Sequence, residues 1–170
     1  ASLIGPRLIQ RLRSELPNLK LRVVEAGSTR LAGEISRGLV DIAITIDAAP
    51  DARAFHSEIL TEPLMLVGPP DALSKSRSSI AFKHLEGLPL VLPGQNSGLR
   101  ARLAKVAAGA EIALTVALEV DSCTLAKQAV IGGAGFTILA PGAFGAEAAR
   151  GDLVGIPIDG LTQAVLRSEE

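Results

Sequence analysis

Leu16-Pro17-Asn18-Leu19-Lys20-Leu21-Arg22-Val23-Val24-Glu25-Ala26-Gly27-Ser28, with Leu31 soon after and Ile35-Ser36-Arg37-Gly38-Leu39-Val40-Asp41-Ile42-Ala43-Ile44 close behind, decides the fold. The apolar period changes twice within it. Leu19, Leu21 and Val23 alternate, which predicts a strand finishing at Val24 and Glu25. Gly27 breaks that strand and Ser28 is expected to cap the next helix, whose apolar stripe is Leu31, Ile35 and Leu39. Gly38 marks the helix stop, and Asp41 leads into Ile42–Ile46, a short apolar run of the kind found in buried parallel strands. Upstream, Ile4, Leu8, Leu12 and Leu16 recur every four residues, so a helix is predicted over 3–15 with Ser2 at its N-cap. Pro17 ends it, because the residue before a proline disfavours helical backbone.

The same rhythm continues downstream. Residues 47–56 read as a loop rich in Ala, Asp and Pro. Glu58 to Gly68 form an extended segment interrupted by Pro63, too long for one ordinary strand, and are expected to pass from one lobe to another. A polar loop over 69–80 and a helical turn at Phe82–Glu86 lead to a strand at Leu90–Leu92. Further expected elements are a helix from about Gly98 to Ala108 capped by Ser97, a strand at Leu114–Val120 and a helix capped by Ser122 running through Ile131. A strand at Phe136–Ala140, a helix over 142–149 ended by Gly151 and a strand at Leu153–Ile158 complete the series. Residues 159–166 are read as a second crossing segment. Alternating βα units predict an α/β fold with two Rossmann-like lobes, parallel-rich sheets and two crossover segments between them. The expected division is lobe I at 1–61, completed by 160–170, and lobe II at 62–159. Ligands of such open sheets bind beyond the C-terminal strand ends, here between the lobes.

Composition bounds the function. Of the 170 residues, 48% are hydrophobic and 21% charged, which excludes disorder and allows a substantial core. That core must be aliphatic, since there are four Phe and no Trp or Tyr. A net charge of -1 with scattered Lys and Arg gives no basic face for nucleic acid, so these residues are not expected to contact DNA themselves. No stretch is long and apolar enough to span a membrane. Ala1 opens directly on the first helix, so no signal peptide is expected; the missing initiator Met suggests a stretch taken from a longer chain. Cys123 stands alone, which fits a cytoplasmic protein, and His56 and His84 are far apart, so no metal site is expected.

Hydroxyls recur at predicted helix starts: Ser2, Ser28 with Thr29, Ser97 after Gln95 and Asn96, and Ser122 after Asp121. A helix start offers unpaired N–H groups and a positive dipole end, a setting for carboxylate, sulfate or phosphate. Capping alone accounts for any one of these serines. Several of them after strands, at one cleft, would form a neutral anion trap, and the expected effector contacts are Ser2, Ser28, Thr29, Gln95, Asn96 and Ser97. Ser122 fits either role equally. Gly132-Gly133-Ala134-Gly135 follows a helix and opens a strand, the reverse of a dinucleotide loop, so it reads as a helix stop and tight turn. No nucleophile elbow and no phosphate loop occur. His56 and His84 fall in polar, loop-like contexts; Cys123, at a helix start, could be a reactive thiol but reads better as a small part-buried residue. Asp41 and Asp121 read as caps or turn formers rather than an acid–base pair. No catalytic residue, cofactor or metal is expected.

These pieces resemble the effector-binding domain of LysR-type transcriptional regulators. Leu16 to Ser28 looks like that family's YP-x-L-x-L-x-L-x-E-G-x-S stretch, and Ile35 to Ile44 resembles L-x-x-G-x-L-D-x-A-I, with Gly38 and Asp41 its most specific positions. Glu62-Pro63-Leu64-Met65-Leu66-Val67, Leu88 to Pro93, Glu119-Val120-Asp121-Ser122 and Val130 to Leu139 also fit, although Ala140 intervenes before Pro141. The overall texture resembles the nitrogen-assimilation group. The resemblance implies a type 2 periplasmic-binding-protein-like fold with a small metabolite or anion bound between lobes at Ser2, Ser28–Thr29 and Gln95–Ser97. It implies a homodimer or homotetramer built on the first helix, and DNA contact only through a helix-turn-helix domain outside this stretch. It also implies a sheet strand before Ser2 and a helix after Glu170. A periplasmic-type solute-binding protein shares this plan and is the alternative; an enzyme on the same fold is the third reading, without an acid–base set to support it.

Overall fold

A computed structural model describes residues 4–46, 55–73 and 78–169. In chain order it runs α1 (Ile4–Glu15), α2 (Ser28–Ile35), β1 (Ile42–Ile46), β2 (Phe55–Gly68), a 3-10 turn (Phe82–Leu85), β3 (Pro89–Leu92), α3 (Gly98–Gly109), β4 (Thr115–Glu119), α4 (Cys123–Ile131), β5 (Thr137–Leu139), α5 (Pro141–Arg150) and β6 (Val154–Glu169). The helices and most strands lie where periodicity places them, except that α2 stops at Ile35, short of the expected Gly38, and Leu39 of its expected stripe is outside it and exposed.

The two crossing segments are β2 and β6, paired antiparallel from Phe55–Glu169 to Gly68–Val154. What reads as two pieces at the C-terminal end, a strand and a crossing, is one strand. Its register against β2 slips between Pro63 and Met65, where Pro63 faces Thr162 but Met65 faces Pro157. The slip leaves the Ile158–Leu161 stretch to bend, with Gly160 at φ +67°. β1 adds antiparallel to the outer part of β6 and β5 to the inner part of β2. The parallel character lies on the other flank: β3 pairs parallel with β4, and Leu90 bridges parallel to Phe136 at the entrance of β5. Gly135, at φ +127°, belongs to that approach, since a Cβ there would run into the Pro89 carbonyl.

Apolar burial divides the chain. Leu66, Leu85, Leu90, Leu92, Leu103, Val130 and Leu153 are fully buried, in two adjoining clusters on either face of the β3–β4 and β2–β5 strands. A separate small cluster of Leu31, Ile35 and Ala43 joins α2 to the inner face of β1.

One predicted strand does not form. Residues 19–25 form no strand and pair with no strand among the described residues, and Leu19, Leu21 and Val23 are exposed. The alternation is there, but the segment is not laid against any strand, and β1 pairs only with β6; without a partner no ladder holds it. Together with Ile9, Leu12, Arg13 and Leu16 these side chains line a shallow groove.

Candidate functional site

β3 and β4 end side by side, each leading through a short turn into a helix start. After Leu92 the turn Pro93–Asn96 runs into Ser97, the N-cap of α3; after Glu119 the pair Val120–Asp121 runs into Ser122, the N-cap of α4. The ladder carries on past the strands, with the Val120 amide donating to the Leu92 carbonyl at 2.9 Å. One step further the Gly94 amide donates to Asp121 Oδ1 at 2.9 Å. Arg100, mostly buried, lies 3.6 Å from Glu119 and donates to the Pro93 carbonyl at 3.3 Å. The structure thus brings Gln95, Asn96 and Ser97 together with Ser122.

The serines differ in what they do. Ser122 Oγ accepts from the Leu125 amide at 3.3 Å, so its role is the helix cap. Ser97 stands at the cap position but its side chain makes no cap hydrogen bond, which leaves both the hydroxyl and the first amides of α3 without that partner. The expectation that Ser97 caps by its side chain is corrected there. Ser28 is not the cap of α2 either; Gly27 holds that position, and Ser28 Oγ accepts instead from the Ile46 amide at 3.0 Å. That bond ties the start of α2 to the C-terminal end of β1. A hydroxyl accepting one bond still has its proton to donate. Thr29 follows, exposed, in the first turn of α2, and Gln95 and Asn96 are exposed in their turn. Ser2 lies outside the described residues, as does most of the 47–56 loop.

Other polar residues resolve into structural roles. Lys127 and Glu147, 7% and 8% exposed, form an ion pair of 2.8 Å between α4 and α5, and Lys127 Nζ also donates to the Ala143 carbonyl at 2.9 Å. The hydrogen bond from Lys127 holds the Glu147 carboxyl below its ordinary pKa, against the opposing effect of burial. Desolvation pushes the Cys123 thiol up, with the Lys127 cation pulling the other way, which is the wrong direction for a reactive thiolate. His56 falls within β2 rather than in a loop, and His84 is exposed in the 3-10 turn. At the junction of the crossovers, Gln163, 5% exposed, donates to Glu62 Oε1 at 2.7 Å. No group of three or more His, Cys, Asp or Glu that could hold a metal occurs among the described residues, and no helix there is long and apolar enough to cross a membrane. Sequence reading missed the Asp121–Gly94 contact and the Lys127–Glu147 pair, neither of which has a local signal.

Comparison with known proteins adds a family. The model of the LysR substrate binding domain matches residues 1–167. The chain is similar to the nitrogen assimilation regulatory protein nac of Klebsiella aerogenes, 30% identical over 139 residues covering 82% of this chain and 45% of that protein. It is also similar to the HTH-type transcriptional regulator BbuR of Bordetella bronchiseptica, 27% identical over 154 residues covering 91% of this chain and 47% of that one. Its fold matches the regulatory domain of CcmR from Synechocystis, solved in complex with 2-PG, with a TM-score of 0.86 over 99% of this chain and 82% of that one at 20% identity. Full-length OxyR C199D from Pseudomonas aeruginosa gives a TM-score of 0.81 at 20% identity, over 98% of this chain and 55% of that one. The chain spans about half the length of the curated relatives it matches. With two βα bodies joined by a pair of antiparallel crossovers, and a family match over nearly its whole length, the chain belongs to the LysR family as its effector-binding, or substrate-binding, domain.

Proposed function

We propose that this chain is the sensing part of a longer, cytoplasmic DNA-binding regulator and takes a small metabolite or anion between two lobes, 1–61 with 160–170 and 62–159. The effector contacts are Ser28 and Thr29 from the start of α2, Gln95, Asn96 and Ser97 from the start of α3, and Ser2; Ser122 serves mainly as a cap. The observation that carries this reading is the start of α3, where the helix amides have no side-chain cap and the Ser97 hydroxyl has no helix amide to bind. Such a turn binds a carboxylate, sulfate or phosphate oxygen without a cation of its own.

Binding biases the arrangement of the lobes by the difference in affinity for each arrangement, and the regulator's grip on promoter DNA follows. DNA is reached through a separate helix-turn-helix domain, and the working unit is a homodimer or homotetramer in which α1 of one copy packs on the other lobe of its partner. Leu8, 40% exposed, lies on the α1 face available for that contact. The reading assigns no catalysis. The relatives above are transcriptional regulators, which removes support for the solute-binding alternative.

The test is calorimetry or thermal shift with sulfate, phosphate and a panel of small carboxylates. An effector found this way should lose roughly tenfold in affinity on Ser97→Ala, the size of one hydrogen bond to a charged group. Unchanged binding in both Ser97→Ala and Ser28→Ala would overturn the site.

A further inference from the structure

The turn that carries Gln95, Asn96 and Ser97 is closed by one bond of its own, the Ser97 amide donating to the Gly94 carbonyl at 2.9 Å, and its remaining amides can serve an anion only if the turn as a whole is fixed before the anion arrives. What anchors it to the rest of the fold comes from the neighbouring strand. In the β3–β4 ladder Leu90 faces Val116, an offset of 26 residues, but Val91 faces Leu118 and Leu92 faces Glu119, an offset of 27. Ala117 is therefore the extra residue of a bulge. A bulge shifts everything after it by one position. With the earlier offset Gly94 would stand opposite Val120, which has no side-chain acceptor. With the later one it stands opposite Asp121, and the Gly94 amide does donate to Asp121 Oδ1 at 2.9 Å.

Gly94 suits this meeting. A Cβ at that position would come within 3.2 Å of both Asp121 Oδ1 and Glu119 Oε1, tighter than ordinary packing. Arg100 completes the brace from the first turn of α3, reaching both Glu119 and the Pro93 carbonyl. Asp121 also immediately precedes Ser122, whose side chain is committed to capping α4. One carboxylate thereby links the turn before α3 to the start of α4.

We propose that Asp121 is the positioning residue of the effector turn: by accepting from Gly94 it holds the backbone of 93–97 in its binding shape and joins the starts of α3 and α4 into one rigid unit. The proposal rests on the reading of Ser97 and its neighbours as effector contacts. Asp121 itself needs no contact with the effector. The bulge at Ala117 is then part of the site, because it sets the register that delivers this carboxylate.

The test compares Asp121→Ala with Asp121→Asn, which keeps an oxygen acceptor. Amide hydrogen exchange over 94–98, without ligand, should speed up roughly tenfold in D121A, as expected for losing one hydrogen bond to a charged acceptor. Asn should restore most of that protection, while the β3 and β4 amides stay unchanged. Inorganic sulfate, followed by calorimetry, should bind D121A several-fold more weakly than wild type and D121N at close to the wild-type level. Should D121A fold poorly, Asp121→Ser, which is too short to reach Gly94, takes its place. Unchanged exchange over 94–98, or unchanged sulfate affinity in a variant whose turn has loosened, overturns the positioning role. Wild-type protein that binds none of sulfate, phosphate and the small carboxylates overturns the anion reading beneath it, and that failure shows in the unsubstituted protein before any variant is made.

Discussion

The segments 19–25, apolar at alternate positions with Lys20 and Arg22 between, and 89–92, continuously apolar, both read as strands and end differently. Leu90, Val91 and Leu92 are fully buried, with β4 on one side, the β5 entrance on the other, and helices over both faces. Leu19, Leu21 and Val23 are 50%, 41% and 59% exposed, with no strand beside them among the described residues. β1 stands between these cases: Ala43 and Thr45 are buried on the inner side, while Ile42, Ile44 and Ile46 are exposed on the other. Hydrophobic patterning marks a face that can be covered. Whether it contributes stability depends on what covers it.

The contrast can be broken or sharpened by substitution. The largest effect is expected at Lys127, inside the well-packed half. Lys127→Ala leaves buried Glu147 with only the longer 3.9 Å contact to Arg150 and should cost about 3 kcal/mol in chemical denaturation, whereas Lys127→Met with Glu147→Leu should be near neutral or stabilising. A double variant as unstable as K127A alone would show that the pair is needed for more than charge compensation.

Leu103→Ala comes next. This side chain is fully buried in the larger cluster, and its loss should cost about 2–5 kcal/mol, read from the denaturation midpoint.

Acid should act more mildly and through the same pair. Glu147 has its pKa lowered by folding, so its contribution is present above the ordinary carboxylate range and fades as pH falls through the folded value. Wild type should therefore lose stability faster than the K127M/E147L variant as pH falls below the ordinary carboxylate range. Parallel stability curves there would remove Glu147 as a source of the acid sensitivity.

The smallest effect is expected outside the packed half. Leu21→Ser should change stability by less than about 0.5 kcal/mol, because the side chain is already in contact with water. A loss as large as that of Leu103→Ala would mean that 19–25 is covered in solution, and would dissolve the contrast between the two segments.

The candidate site was legible to a similar, partial degree. Ser97 and Ser122 were found by their position after a strand and before a helix, and both are N-cap residues. Their division of labour was not legible: one side chain caps and the other does not, a matter of rotamer and turn shape that residue type leaves open. Ser28 was expected to cap its own helix, yet its oxygen serves Ile46, eighteen residues later. Asp121 reads locally as a turn former; its partner lies 27 residues back and depends on a bulge that the alternating sequence does not announce. Lys127 carries no local signal of its burial; its partner Glu147 arrives with α5.

Local periods, breakers and motifs were enough to determine the order of helices and strands apart from 19–25, the two crossings and the family. These are properties of short stretches, set by the geometry of one turn or one pleat. Tertiary structure alone decided which apolar faces are covered, which serine hydroxyl caps a helix and which carboxylate steadies the α3 turn. The covered faces and the carboxylate depend on the register between segments distant in sequence, where a shift of one residue changes which side chain arrives, and the cap depends on the turn shape that the packed fold imposes.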